Sequence, residues 1–295
     1  MIEVQNVTKR FDGVTALDAL SLTVPQGSVY GLVGPNGAGK STIIRVLTGI
    51  YRPDCGSVAI SGAPVYENPD VKRRVSYIPD DLSAFSFESV RSLMRFYRQL
   101  YPAFDMQRYG QLKDVFCLDE KQPLRRFSKG MQKQAMFWLS ICAKPEYLIL
   151  DEPVDGLDPV MRRQVWSLIL DDVAANGTTV LVSSHNLREL EDVCDHVGVM
   201  HKGKMLLERS LEKLQENFVK VQLVTEHPLP DNLNVVHSSM TGRIQTLIIC
   251  GGAKEVADKL ALTQPLLCDL LPLTLEEFFI YELGGVDYDV KNIVL

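Results

Sequence analysis

The run Gly34-Pro35-Asn36-Gly37-Ala38-Gly39-Lys40-Ser41, followed by Thr42, fits the phosphate-binding pattern Gly-x4-Gly-Lys-Ser/Thr. Its glycines let the loop turn back on itself, so that successive backbone N–H groups and a helix N-terminus face an anion. Lys40 would reach the β- and γ-phosphates of a nucleotide such as ATP, and the Ser41 hydroxyl would ligate Mg²⁺. A second constellation is Tyr147-Leu148-Ile149-Leu150-Asp151-Glu152, an apolar strand pattern from which two carboxylates emerge. In open α/β sheets ligands bind at that carboxyl end. Adjacent acids on a strand point to opposite sides, which divides their work. Asp151 is placed to hold Mg²⁺, through water, and Glu152 to face the attacking water as general base. A surface acidic pair is the simpler alternative, but a phosphate loop needs a magnesium-binding acid and no better candidate exists.

Two further residues carry weaker signals. His185 follows the apolar run Thr178-Thr179-Val180-Leu181-Val182-Ser183. A lone histidine is ordinarily structural or solvated, whereas this position at the end of a core strand allows a γ-phosphate contact. His196, His201, His227 and His237 have no such setting. Phe11 reads either as a loop aromatic covering a sheet edge or as a stacking platform for a purine.

The elements around these residues follow from periodicity. Val29-Tyr30-Gly31-Leu32-Val33 reads as a buried strand before the loop, and residues 42–47 as the first turns of a helix. Ile2-Glu3-Val4-Gln5-Asn6-Val7 and Leu20-Ser21-Leu22-Thr23-Val24 alternate, predicting an antiparallel β start over residues 1–33. Residues 53–62 read as a turn and a further strand, and Val75-Ser76-Tyr77-Ile78-Pro79 as another short strand, closed by the acidic pair Asp80-Asp81. Val90, Leu93, Met94, Tyr97 and Leu100 share one helical face. A second helical tract runs from Gly130 to Cys142, with Ser128 as its natural N-cap. The arginines and lysines between 91 and 133 read as a solvated face. Gly156-Leu157-Asp158-Pro159 turns into a further helix. These segments make an α/β domain with a helical insertion over residues 88–145.

Composition bounds the function classes. The chain of 295 residues is 46% apolar and 23% charged, ordinary globular values that suit one large domain and a smaller one. Its 31 basic against 37 acidic residues give a net charge of −6, which argues against a general nucleic-acid surface. No apolar run approaches the ~20 residues that span a bilayer. Met1-Ile2-Glu3-Val4-Gln5 starts as a strand, without a signal peptide's regions. Six scattered cysteines without a Cys-x-x-Cys predict reduced, mostly buried thiols in the cytoplasm rather than disulfides or a zinc site.

Together these segments resemble the ATPase subunit of an ATP-binding cassette (ABC) transporter. The resemblance covers residues 1–215. Residues 34–42 resemble the Walker A loop, and Leu148 to Glu152 resemble Walker B with the catalytic glutamate. Phe127-Ser128-Lys129-Gly130-Met131-Gln132 resembles the family signature, Leu-Ser-Gly-Gly-x-Gln. That motif discriminates, since many NTPases share the Walker motifs. Gly156-Leu157-Asp158 resembles the D-loop, His185 the switch histidine, and Phe11 the adenine-stacking aromatic.

The resemblance implies a P-loop NTPase core with an antiparallel β subdomain and a helical subdomain. It implies ATP and Mg²⁺ as cofactors. Two subunits, identical or related, would pair head to tail with ATP between them, Ser128 and Gly130 of one closing on the γ-phosphate at Lys40 of the other. Separate transmembrane permease subunits would be the further partners, with this chain cytoplasmic and peripheral on the inner membrane face. No nucleic-acid partner is expected.

Two positions depart from the family pattern. Asp80 stands where the family carries Gln after Tyr-Ile-Pro; it is shorter, charged and cannot donate, and a metal-side role with altered coupling is expected for it. Lys129 replaces the first signature glycine, as in related exporter ATPases. Residues 216–295 read as a small α+β domain: Val219-Lys220-Val221-Gln222-Leu223-Val224 and residues 243–249 alternate, a helix is expected over residues 253–262, and the end Leu275-Glu276-Glu277-Phe278-Phe279 resembles exporter ATPases of drugs, antibiotics or peptides. The alternatives are a soluble cassette ATPase acting on ribosomes or DNA, and a nucleotide-binding regulator. A single cassette, negative charge and absence of heptads count against the first, and Glu152 against the second.

Overall fold

The computed structural model describes residues 1–213, 218–225, 227–230, 232–271 and 273–278. The expected helix Leu211 to Leu214, the expected segment Leu266 to Leu273 and the stretch Leu275 to Phe279 each include a residue outside those described: Leu214, Pro272 and Phe279. The chain divides into two units, residues 1–185 with 193–208, and residues 186–192 with 209–295.

In the first unit, strands β1 (Ile2–Phe11) and β2 (Val14–Val24) form an antiparallel hairpin, longer than their alternating cores suggested because bulges let pairing continue past Val7. Phe11 is therefore the last residue of β1, opposite Val14, rather than a loop residue. With β4 (Cys55–Ile60) and β5 (Ala63–Pro64) they make a four-stranded sheet in the order β2-β1-β4-β5.

A six-stranded sheet, β10-β9-β3-β8-β7-β6, carries the chemistry. Its strands are β3 (Val29–Val33), β6 (Val75–Ile78), β7 (Tyr147–Asp151), β8 (Thr179–Ser184), β9 (His196–His201) and β10 (Lys204–Ser210). Every residue of β3, β7 and β8 is buried, the mark of strands covered on both faces. Register decides where the loops emerge. Val33 pairs with Ser184, Asp151 with Ser183, and Ile78 with Leu150, all in parallel. The four chain segments beginning at Gly34, Pro79, Glu152 and His185 thus leave the sheet along one rim.

Helix α1 (Lys40–Leu47) buries Ile43, Ile44 and Leu47 in a core shared with Ile2, Leu22, Tyr30 and Ile149. Next in chain order comes α2 (Pro69–Lys72), capped by Asn68. The insertion holds α3 (Val90–Leu100), α4 (Met106–Phe116) and α5 (Lys129–Cys142), with Ser89, Asp105 and Ser128 as their N-caps. Helix α4 was not legible from periodicity; Tyr109 anchors it by stacking on Trp138 of α5 at 4.5 Å. Helix α6 (Pro159–Asn176) starts at Asp158 and ends at Gly177 in the left-handed region.

In the second unit, β11 (Phe218–Val224), β12 (Val235–Thr241), β13 (Ile244–Cys250) and β14 (Leu267–Leu271) form an antiparallel sheet in the order β12-β13-β11-β14. Helix α7 (Arg188–Glu191) belongs to this unit, and α8 (Ala253–Ala261) adds Val256 and Leu260 to a core of Val219, Val221, Leu223, Leu247 and Ile249. Residues 275–278 are helical, and they meet α7 through Arg188 to Glu276 at 2.9 Å and the Leu275 N–H donating to Glu191 Oε1 at 3.0 Å. The six cysteines are free thiols. Only Cys142 and Cys194 are buried, so the expectation of mostly buried thiols is corrected: Cys55, at the start of β4, and Cys117, just after α4, are exposed.

Candidate nucleotide site

The loop between β3 and α1 is built by close approach. A Cβ on Gly34 would stand 2.4 Å from the Met200 carbonyl oxygen, so only glycine fits where the loop passes β9. Gly39, the residue before α1, holds φ at 105°, and a Cβ there would meet the Ala16 carbonyl at 2.8 Å. The loop encloses Lys40, only 6% exposed. Its ammonium donates to the Gly34 carbonyl at 2.6 Å and the Pro35 carbonyl at 3.4 Å, and sits 3.3 Å from Glu152 Oε1.

Around this loop lies a cavity of about 530 Å³, lined by residues 14–16 and 36–42, Asp80, Glu152, Lys202 and Gly203. Its size suits a nucleotide-sized ligand. Glu152 departs from strand geometry: it follows β7 with φ of 46°, a strained backbone for a residue with a side chain. That turn, rather than strand alternation, separates its carboxylate from that of Asp151. Glu152 Oε2 is paired with His185 Nδ1 at 2.8 Å, opposite the Lys40 contact. Asp151 is 2% exposed and accepts from Ser183 Oγ at 2.7 Å and Ser41 Oγ at 3.2 Å. Burial holds its carboxyl above the ordinary carboxylate range, against those two hydrogen bonds.

The donor set fits Mg²⁺. Among the described residues no cluster of three or more His, Cys, Asp or Glu side chains could cage a metal. Ser41 and Asp151 instead offer two neighbouring oxygens, as suits an ion that keeps waters and takes its other ligands from phosphates. A buried carboxylate is also a group that a divalent cation would stabilise.

Several sequence-predicted residues stand elsewhere. Phe11 is 38% exposed, edge-on to Tyr51 at 5.2 Å, with Lys9 Nζ 5.4 Å from its ring; it does not line the cavity. Ser128 caps α5 by accepting from the Met131 N–H at 3.2 Å. Gly130 packs on the chain's own residue 156, where a Cβ would meet the Gly156 carbonyl at 2.4 Å. Asp158 Oδ1 accepts from the N–H groups of Val160 and Met161, both at 3.0 Å. Asp80 lines the cavity and is paired with Lys133 at 3.2 Å and Lys129 at 3.5 Å.

Sequence reasoning missed residues 14–16, Lys202 and Lys133. The first four reach the cavity through the β2 start and the β9–β10 turn, for which no local signal exists. Lys133 corrects the expectation of a solvated face, since it is fully buried. Its four-residue spacing from Lys129 sets both on one side of α5, but nothing in the sequence separates this buried lysine from the exposed Lys129.

Comparison with known proteins closes the question of kinship. A family model described as "ABC transporter" matches residues 17–155. The chain is 31% identical over 290 residues to the ABC transporter ATP-binding protein YtrB of Bacillus subtilis, covering 97% of this chain and 99% of the relative. This chain belongs to the ABC transporter ATP-binding family. It is an ATP-binding subunit of an ABC transporter, and a match over 97% of the chain takes in most of the second unit. The daunorubicin/doxorubicin resistance ATP-binding protein DrrA of Streptomyces peucetius is 37% identical over 223 residues, 73% of this chain and 67% of that protein. Among solved structures, one titled as the ATP binding subunit of an ABC transporter superposes with a TM-score of 0.67 at 26% identity, over 73% of this chain and 92% of the other. The cassette fold expected from the motifs is thereby established, and its members are known ATPases.

Proposed function

We propose that this ABC subunit hydrolyses ATP to power export through separate membrane-spanning subunits. The observation that carries the hydrolytic reading is the Glu152 carboxylate, held at the cavity wall between Lys40 and His185. Lys40 and the backbone N–H groups of residues 36–42 hold the triphosphate, with the glycines admitting it closely. Ser41 and Asp151 would hold Mg²⁺, which when bound would supply charge neutralisation at the phosphates. On triphosphate binding Lys40 exchanges its loop carbonyls for phosphate oxygens, which frees Glu152 Oε1 to accept the proton of the attacking water. His185 fixes the other carboxylate oxygen and orients the group.

A second copy of the chain, or a related subunit, completes the site by presenting Ser128 and Gly130 at the N-terminus of α5. Among the described residues no helix is long and apolar enough to cross a membrane, so coupling requires membrane-spanning partners. Export is supported by the resistance role in DrrA's name and by the resemblance of residues 275–278 to exporter ATPases; membrane-spanning partners would hold the subunit at the inner membrane face.

Phosphate release by the purified full chain tests hydrolysis. Glu152→Gln is expected to lower kcat by about 10²–10⁴-fold, the ordinary weight of a general base, with ATP still bound. A Gln variant as fast as the wild type would remove Glu152 from the chemistry. Pull-down from detergent-solubilised membranes of the source cell tests coupling: a multi-span membrane protein at near-equal stoichiometry is expected, and its absence would sink the transport reading.

A further inference from the structure

Lys133 is a fully buried ammonium on a helix whose other buried side chains are uncharged, all apolar but Ser140. A buried charge is retained only with partners that satisfy it. Lys133 has two, and they lie on different loops. Its Nζ donates to Asp80 Oδ1 at 3.2 Å, on the loop after β6, and to the backbone carbonyl of Glu152, on the loop after β7. One turn earlier on the same helix, Lys129 reaches Asp155 Oδ2 at 2.8 Å and Asp80 Oδ1 at 3.5 Å. Two lysines at i and i+4 thus lay a ladder of positive charge along α5 against Asp80, Asp155 and the Glu152 carbonyl.

The placement has a consequence for Glu152. Its backbone is held at φ of 46°, a conformation that costs energy and persists only when its surroundings over-determine it. Two contacts do so: its N–H donates to Ser183 Oγ at 3.0 Å, and its carbonyl accepts from Lys133. The carboxylate between Lys40 and His185 hangs from that pinned peptide. Asp80 is drawn to the same ammonium while lining the nucleotide cavity. The acidic residue at the position where the family carries Gln therefore stands with its own cation.

We infer that Lys133 is a positioning residue for hydrolysis, locking the strained Glu152 backbone and tying the half-exposed Asp80 to the signature helix through its buried ammonium. The inference rests on Glu152 acting as the base. Asp80 and Lys133 form a matched unit: neither residue is expected to serve without the other. In this arrangement the Asp80 carboxylate compensates the Lys133 charge first, and faces the nucleotide cavity from that anchored position.

The test uses the full chain with Lys133→Met, Asp80→Asn and the double variant. Met conserves the stem of the side chain and removes the charge. Lys133→Met is expected to lower kcat about tenfold or more with the KM for ATP changed less than threefold, because one misplaced group slows chemistry without weakening phosphate binding. Hydrogen–deuterium exchange on the nucleotide-free protein should show faster exchange over residues 152–156 and 80–83. Asp80→Asn, which leaves the buried ammonium uncompensated, should lower Tm more than the double variant does. If Lys133→Met fails to fold, the double variant carries the test, with the same loss of kcat expected. Wild-type kcat and unchanged exchange in whichever variant folds, or additive Tm losses of the single variants, would overturn the inference. Activity surviving in Glu152→Gln would instead strike the reading on which it rests.

Discussion

At the scale of single residues, this site is arranged so that charges find partners before any ligand arrives. Lys40 rests on its own loop's carbonyls, Asp151 on two hydroxyls, and Glu152 on a lysine and a histidine. Gly130 has little tolerance for a side chain. Its missing Cβ leaves room for the Gly156 carbonyl, so the signature helix starts pressed against the loop that follows Glu152. Gly130→Ala is expected to cost about 1–3 kcal/mol, the ordinary penalty of overpacking, and to reduce ATPase rate by displacing that loop. Urea unfolding with a parallel phosphate-release assay checks both, and an unchanged midpoint would show that the loop yields freely.

At the scale of elements, the helical insertion is fastened by aromatic stacking and by one acidic residue. Trp138 stacks on Tyr109 at 4.5 Å and lies near Phe116 at 6.1 Å, joining α5 to α4. Glu120 is 8% exposed and receives the Lys113 ammonium at 2.6 Å and the Tyr109 hydroxyl at 2.8 Å. The Lys113 hydrogen bond, with help from Tyr109 and against burial, holds the Glu120 carboxyl below its ordinary 4.5. A depressed folded-state value means stability that is fully present above that ordinary value and lost as pH falls through the folded one. Glu120→Gln is accordingly expected to cost about 1 kcal/mol at pH 7, a modest figure because Lys113 is half exposed. The gap between variant and wild type should close below pH 4.5, measured by chemical denaturation across pH.

At the scale of the whole molecule, two units carry separate cores, one around Tyr30, Ile43 and Ile149 and one around Val221, Leu223 and Leu247. Ligand binding stabilises what binds it, by about 2.7 kcal/mol at a hundredfold excess over Kd. ATP is expected to raise the unfolding temperature of the first unit. Leu223→Ala, which empties part of the second core, should cost about 2–5 kcal/mol there and leave ATP affinity unchanged. Calorimetry with and without ATP separates the two effects. A changed ATP affinity in that variant would show that the units share one energetic system.

The sequence alone determined the phosphate loop, the acidic pair at the end of β7, the capped signature helix and the α/β class, because each is set by spacing within one segment. Glycine and lysine in a fixed pattern, or an apolar run ending in carboxylates, need no distant partner to be legible. What tertiary structure decided was every relation between segments. Register in the parallel sheet brought Gly34, Glu152 and His185 to one rim, since Val33 pairs with Ser184 and Asp151 with Ser183. Strand alternation could not foresee the left-handed turn at Glu152, whose backbone N–H and carbonyl bond Ser183 and Lys133. Nor could charge patterning along α5 distinguish a solvated lysine from one sealed against Asp80, because burial is a property of what packs over the helix.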